Sequence, residues 1–346
     1  MGYPETALGN LTSGGSIANL IAIVTARDHA GLKARDYENA CIYLTEHVHH
    51  CVQKALRIVG MAEAQVQYIA ITPDMKMDPQ ALDQQIQKDI QNGLRPFLIV
   101  GSAGTTNTGV IDPLDKMADI AQKYQLWFHV DAAYGGFFRM IDDLKPQFKG
   151  IERSDSITID PHKGLFISYG IGAVLVKNVE ALYKSHHYVA NYMQDALDPN
   201  QELSPADLSP ELTKHFRGLR MWLSIHLFGL ASLKAAIEEK VWLCRYFYDK
   251  IQELGFEVGP PPELSVMIYR YVPEEGSADS FNQKLVQYVH DDGQVFVSST
   301  TINGVFWIRL AVMSFRTHLA EVDLCMDTLK AGILHVKESM EAKNVI

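Results

Sequence analysis

Six short apolar runs, at 41–44, 66–71, 96–101, 126–131, 156–160 and 172–176, alternate with helical stretches from Ser16 to about Val176. Alternation of this kind is the signature of repeated βαβ units. The sequence therefore predicts an α/β fold with a mostly parallel central sheet covered by helices on both faces. Asp78-Pro79 and Asp112-Pro113 each join a capping carboxylate to a first-turn proline, which places the start of two of those helices.

Beyond the sheet the pattern changes. Residues 188–210 turn polar, with Asp195, Asp198, Glu202 and Asp207 among Pro199, Pro205 and Pro210. A stretch of that length without apolar periodicity reads as a functional lid or a disordered segment. Helical periodicity resumes at 212–238 and 241–254. After Gly259-Pro260-Pro261-Pro262 come strands near 265–271, 294–299 and 305–310, with helices at 280–290 and 317–336. The expected division is a large domain over 1–210, followed over 211–346 by linking helices and a small C-terminal α+β domain.

Composition narrows the function. With 47% hydrophobic and 21% charged residues, all 346 positions belong to chain able to fold. Lysine and arginine number 31 against 41 acidic residues, a net charge of −10 without a basic block, so nucleic acid and anionic membranes are excluded as expected partners. The longest apolar run, 165–176, is interrupted by Ser168 and closed by Lys177; it falls short of the roughly 20 residues a bilayer requires and reads as a buried strand. The N-terminus has neither the basic segment nor the apolar core of a signal peptide, so a cytoplasmic location is expected. Cys41, Cys51, Cys244 and Cys325 form no Cys-x-x-Cys pair and read as reduced, separately buried thiols.

Five segments could carry chemistry. Lys163 follows an apolar strand in Asp160-Pro161-His162-Lys163-Gly164, flanked by His162 and a flexible glycine. Strand ends present residues to ligands, and a lysine amine freed of its proton attacks carbonyls. Alone, the segment fits an exposed lysine in a tight turn equally well. Asp131 closes the strand of Leu126-Trp127-Phe128-His129-Val130-Asp131 ahead of small residues, which leaves room for a flat ligand with a cationic group; a helix cap is the alternative. Thr12-Ser13-Gly14-Gly15-Ser16 opens a helix and resembles a phosphate cradle. It is neither a P-loop nor a dinucleotide fingerprint, and a plain capped turn remains open. Glu46-His47-Val48-His49-His50-Cys51 holds three histidines and a thiol whose spacing points them in different directions. A zinc site is thus disfavoured, and one histidine lying on a planar ligand is the simpler reading. Gly101-Ser102-Ala103-Gly104-Thr105-Thr106 supplies small residues and hydroxyls after another strand.

Taken together, a phosphate cradle, a strand-tip acid, a stacking histidine and a nucleophilic lysine are the parts that hold pyridoxal 5'-phosphate. Over essentially its whole length the chain resembles the group II pyridoxal-phosphate-dependent amino-acid decarboxylases. The specific matches are Asp160-Pro161-His162-Lys163, His129-Val130-Asp131-Ala132-Ala133-Tyr134-Gly135-Gly136, and Ala103-Gly104-Thr105-Thr106 with Gly109 and Asp112-Pro113. Ser13-Gly14-Gly15-Ser16 and Phe216-Arg217-Gly218-Leu219-Arg220-Met221-Trp222 support them.

The resemblance implies fold type I, the architecture of pyridoxal-phosphate-dependent transferases. It also implies roles: Lys163 bonded covalently to the cofactor, Asp131 paired with the ring nitrogen, and His49 stacked on the ring. Gly15 and Ser16 would hold the phosphate with Asp160 and His162, while Thr105 and Ala133 line the cofactor. An ion pair at about 4 Å and an effective dielectric near 20 is worth roughly 4 kcal/mol, enough to keep a ring nitrogen protonated. The implied reaction is decarboxylation of an L-amino acid, aromatic substrates being the first choice, in a homodimer.

Two departures matter. The family begins with a helical N-terminal segment that clasps the partner subunit and lines the substrate pocket, whereas this chain starts just before the phosphate cradle; the expectation is a fragment or an incomplete pocket. The family's mobile loop supplies a tyrosine that protonates the product carbanion, yet 193–216 contains none. His215 or His187 could substitute, and Tyr188 and Tyr192 lie near the loop's start. Oxidative deamination to an aldehyde and a catalytically silent cofactor-binding chain are the alternatives. Lysine and aspartate alone leave an aminotransferase open; the His162-Lys163 pair and the Arg217 to Trp222 segment favour a decarboxylase.

Overall fold

The computed structural model describes residues 1–188 and 203–344, the last four of these as backbone only. The chain divides into two compact units, one of residues 1–105 and 111–230, the other of 106–110 and 231–346.

In the first unit a seven-stranded sheet runs in the order β1-β7-β6-β5-β4-β2-β3. Its strands are β1 (Leu8–Thr12), β2 (Ala40–Leu44), β3 (Gln65–Tyr68), β4 (Arg95–Ser102), β5 (Trp127–Asp131), β6 (Ser156–Ile159) and β7 (Gly172–Val176). The run β6-β5-β4-β2-β3 is parallel throughout, as the apolar runs predict. Strand β7 is antiparallel to both β6 and β1. The reason is the connection. Only a four-residue helix, α5 (Pro161–Gly164), and a turn separate β6 from β7, too little chain for a parallel crossover, so the chain folds straight back. The expected strand over 165–176 is thus confined to 172–176. The turn before it is tight, with Phe166 at φ 54° and Gly170 at φ 91°.

Helices α1 (Gly15–His29), α2 (Cys51–Ile58), α3 (Pro79–Gln91) and α4 (Leu114–Tyr124) join the strands, and α6 (Val179–His186) follows the last of them. The α1 face carrying Ala18, Ile21, Ala22 and Ala26 is buried with Ile42, Leu44, Leu98 and Val100 of the sheet. Asp78 caps α3 as expected: its Oδ1 accepts from the Gln80 N–H at 2.8 Å and the Ala81 N–H at 3.3 Å. Asp112 does not cap α4. Its carboxylate accepts from the Met77 and Ser102 N–H groups, both at 2.8 Å, and so ties the end of β4 to the segment before α3.

The long helix α7 (Arg217–Glu253) is broken at Gly229, whose φ of 73° is left-handed. The break falls earlier than the gap expected between 238 and 241. The second unit holds a four-stranded antiparallel sheet in the order β10-β11-β9-β8, built from β8 (Phe256–Val258), β9 (Val266–Tyr271), β10 (Ser298–Ile302) and β11 (Val305–Ala311). Helices α8 (Ala278–Asp292) and α9 (Leu319–Asn344) share a core with it around Phe247, Tyr269, Phe281 and Leu329. Among the described residues no helix is long and apolar enough to cross a membrane.

Candidate active site

Strands β2, β4, β5 and β6 are parallel, and β1 runs the same way because it and β6 are both antiparallel to β7. All five therefore end at one edge of the sheet, and the segments singled out in the sequence all leave from that edge.

Lys163 lies in α5, one turn beyond Asp160, and its Nζ is 2.9 Å from Asp160 Oδ2. The Asp160 side chain is 1% exposed and that of Lys163 35%, so the amine keeps a path to solvent while its partner does not. Burial raises the Asp160 pKa, and Lys163 opposes the rise. His162 Nε2 is 3.7 Å from the same carboxylate oxygen, and its Nδ1 donates to the Ile171 carbonyl at 2.5 Å. Gly164 is not a flexible hinge. It is buried in α5, and a Cβ there would stand 2.7 Å from Phe137 Cβ, so its small size serves packing.

The start of α1 meets this group directly. A Cβ on Gly15 would lie 2.9 Å from Asp160 Oδ2 and 3.3 Å from Ala133 Cβ. Only glycine lets the helix start approach so closely, and the first N–H groups of a helix have no partner within it. Ser16 follows, exposed.

Asp131 ends β5. Its Oδ1 accepts from the Ala133 N–H at 3.0 Å and its Oδ2 from the Asn19 side-chain amide at 3.1 Å. The Ala103 N–H donates to the Asp131 carbonyl at 2.9 Å, which sets the turn leading to buried Thr105.

His49 is half-buried between β2 and α2, close enough to Asp131 and Lys163 for both to act on its titration. Burial, followed by His50, lowers its pKa, which favours a neutral ring. Its Nδ1 accepts from the Cys51 N–H at 3.2 Å, and its ring centroid is 4.1 Å from that of His50. Cys51 is no free nucleophile: burial pushes its thiol up to about 12.

The structure thus gathers Gly15, Asp131, Ala133, Asp160, His162 and Lys163 around one point, with His49 at its margin, while Ser16 follows Gly15 in α1 and buried Thr105 follows β4. Of the proton-donor candidates, His187 is engaged, its Nδ1 2.9 Å from Asp207 and its ring stacked on Tyr183. Tyr188 and His215 are exposed. Tyr192 and residues 193–202 of the tyrosine-free stretch lie outside the described residues.

Sequence reasoning assigned no role to Asn19, which bridges Asp131 and His129. A signal existed for His129: it stands two residues before Asp131 on a strand and so shares its face. In the sequence Arg217 and Arg220 stand out only as part of the Phe216 to Trp222 motif. Arg217 Nε donates to the Gly170 carbonyl at 3.2 Å and Arg220 Nη1 to the Tyr169 carbonyl at 3.1 Å, so the two arginines hold the turn that follows Lys163.

The pyridoxal-dependent decarboxylase conserved domain matches residues 1–272. The chain belongs to the pyridoxal-dependent decarboxylase family. It is similar to an aromatic-L-amino-acid decarboxylase of Bacillus atrophaeus, with 34% identity over 96% of this chain and 70% of that one. A phenylacetaldehyde synthase of Petunia hybrida is 28% identical over 90% of this chain and 65% of its own. Among solved structures, that of Oryza sativa TDC with pyridoxal phosphate and tryptamine superposes with a TM-score of 0.90 at 26% identity, covering 95% of this chain and 71% of that one. The chain spans 63% to 72% of the length of the curated relatives it matches.

The residues present fit the family's cofactor. Asp160 Oδ1 is buried without a hydrogen-bond partner among the described residues, a position for a donor from a bound group or water. A Cβ on Gly172 would come within 2.5 Å of the Gly14 backbone and 2.7 Å of Asp160 Oδ1, so the cradle is open only because glycines form it. Asp131, fed by N–H donors alone, offers an acceptor to a ring nitrogen.

Proposed function

We propose that this chain carries out pyridoxal-phosphate-dependent decarboxylation of an L-amino acid, releasing the amine and carbon dioxide, with aromatic amino acids as the substrate class. The observation that carries the reading is the convergence of Lys163, Asp131 and the Gly14-Gly15 helix start on one rim of the sheet. In this reading Lys163 holds the cofactor covalently, Asp131 meets its ring nitrogen, and His49 lies on its face. Gly15, Ser16, His162 and Asp160 surround the phosphate, while Thr105 and Ala133 line the ring. When bound, the cofactor supplies an electron sink for the carbanion left by carbon dioxide. The first unit is the cofactor-binding domain.

A homodimer and a cytoplasmic location belong to the same proposal. Leu219, Trp222, Leu223, Leu227 and Leu230 recur at helical spacing on the first part of α7, each 45% exposed or more, an apolar stripe suited to a second subunit. Four buried, unpaired cysteines suit a reducing compartment.

The similarity to an aldehyde synthase favours one second reading, oxidative deamination. The two separate on product analysis with tyrosine, tryptophan and phenylalanine. Decarboxylation predicts amine and carbon dioxide in equal amounts without oxygen uptake. Oxygen uptake with release of aldehyde, carbon dioxide, ammonia and peroxide would establish the alternative, and no turnover with bound cofactor would mean a silent chain.

A further inference from the structure

We infer that Asn19, His129 and Ser156 are positioning residues that orient Asp131 through a one-directional chain of hydrogen bonds beginning at Trp127. The inference rests on the reading of Asp131 as the carboxylate that meets the cofactor's ring nitrogen.

Trp127, His129 and Asp131 occupy alternate positions of β5 and so share one face of the sheet. Ser156 of β6 stands in register with His129, and Asn19 reaches down from α1. Four contacts join them. Trp127 Nε1 is 2.8 Å from Ser156 Oγ, which is 2.8 Å from His129 Nδ1. His129 Nε2 is 2.7 Å from Asn19 Oδ1, and Asn19 Nδ2 is 3.1 Å from Asp131 Oδ2.

Both ends fix the direction independently. At one end, the indole N–H can only donate, so Ser156 Oγ accepts from it. At the other, the Asn19 amide nitrogen faces Asp131 Oδ2, the Gly15 carbonyl at 2.9 Å and Cys51 Sγ at 3.4 Å; the carboxylate and the carbonyl can only accept, so the nitrogen is on this side. Its Oδ1 therefore faces His129 and must receive a hydrogen from Nε2. A neutral ring then has Nδ1 as acceptor, and the Ser156 hydroxyl hydrogen has its place. Every hydrogen is used once. Reversing any link strands a polar hydrogen where Asn19, His129 and Ser156 are 0% exposed and Trp127 4%. Burial, which lowers the His129 pKa to about 4 against the opposing pull of Asp131, agrees with the neutral ring.

The consequence falls on Asp131. Because the amide of Asn19 is locked by a partner that always donates, it cannot rotate to present its oxygen to the carboxylate. One oxygen of Asp131 is held by Asn19 and the other by the Ala133 N–H, which fixes the plane of the group.

Long-range proton–nitrogen correlation of the histidine rings tests this on the chain without cofactor, with His129 assigned by the signal lost in His129→Gln. The expected result is a neutral ring protonated at Nε2, unchanged from about pH 8 to about pH 5. In Asn19→Leu the acceptor is gone, and the hydrogen should move to Nδ1 to bond Ser156. The same variant should bind pyridoxal phosphate about tenfold more weakly, the loss of roughly one hydrogen bond to a charged group, while still forming the Lys163 adduct. Asn19→Ser, a smaller and polar replacement, should behave alike if the leucine variant does not fold. Protonation at Nδ1 in the unaltered chain, or unchanged cofactor affinity in both variants, would overturn the inference. Should the unaltered chain take up no pyridoxal phosphate, the cofactor reading fails, and the tautomer alone still decides the direction of the chain of bonds.

Discussion

His129 has no route to water, and that gives its titration a sign. Its pKa falls from 6.5 to about 4 through burial, so between those values the unfolded chain binds the proton and the folded chain does not. Stability is therefore lost as pH drops from about 6.5 toward 4, by about 3 kcal/mol for this group alone. His47, His49 and His186, each also lowered mainly by burial, add to the loss in the same direction. Urea midpoints measured across that range should fall with pH, and less steeply in His129→Gln than in the unaltered chain; equal slopes would refute the burial argument. At this scale the sequence was informative where chemistry and position coincide. Lys163 and Asp131 end or follow apolar strands, so their placement on the rim was legible. Asn19 was not, because nothing in a helix sequence says which polar residue reaches a strand more than a hundred positions away.

Elements were legible where an apolar run marks them and hidden where pairing makes them. The parallel strands all stand out, but β1, Leu8–Thr12, sets its two leucines among Gly9, Asn10 and Thr12 without an apolar run and owes its state to β7 alongside it. Asp112 shows the same limit, since Asp-Pro predicts a cap whether or not two distant N–H groups compete for the carboxylate. The meeting of β7, α1 and α5 gives a prediction of its own. Gly172→Ala would press a Cβ into the Gly14 backbone and displace the start of α1. Overpacking of this kind costs about 1–3 kcal/mol, and here the displaced helix start is the proposed phosphate site. Thermal unfolding and pyridoxal phosphate affinity should both drop. A variant as stable and as tightly binding as the unaltered chain would show that the close approach is not required.

At the scale of the molecule, the two units have separate means of stability. In the second, Lys240 is 1% exposed and donates to Glu239 Oε2 at 2.7 Å and to the Phe315 and Thr317 carbonyls at 3.3 and 2.6 Å. Lys240→Met should cost about 3 kcal/mol by stripping the loop before α9 of its donor, measured by denaturant unfolding. The apolar stripe on α7 belongs to the first unit. Sedimentation should find a dimer, and Trp222→Glu with Leu223→Glu should yield a monomer; a monomeric unaltered chain would contradict the proposed assembly. That stripe was present in the sequence as a helical pattern, but whether a neighbouring element or solvent covers it is decided only by the folded chain.

One rim of the sheet is proposed above as a pyridoxal phosphate site whose covalent anchor is Lys163. The direct measurement is borohydride reduction of the chain incubated with the cofactor, followed by peptide mapping. A single modified lysine, Lys163, is expected, absent in Lys163→Ala and diminished when Asp131 is replaced by alanine. Modification spread over surface lysines, or none at Lys163, would contradict it.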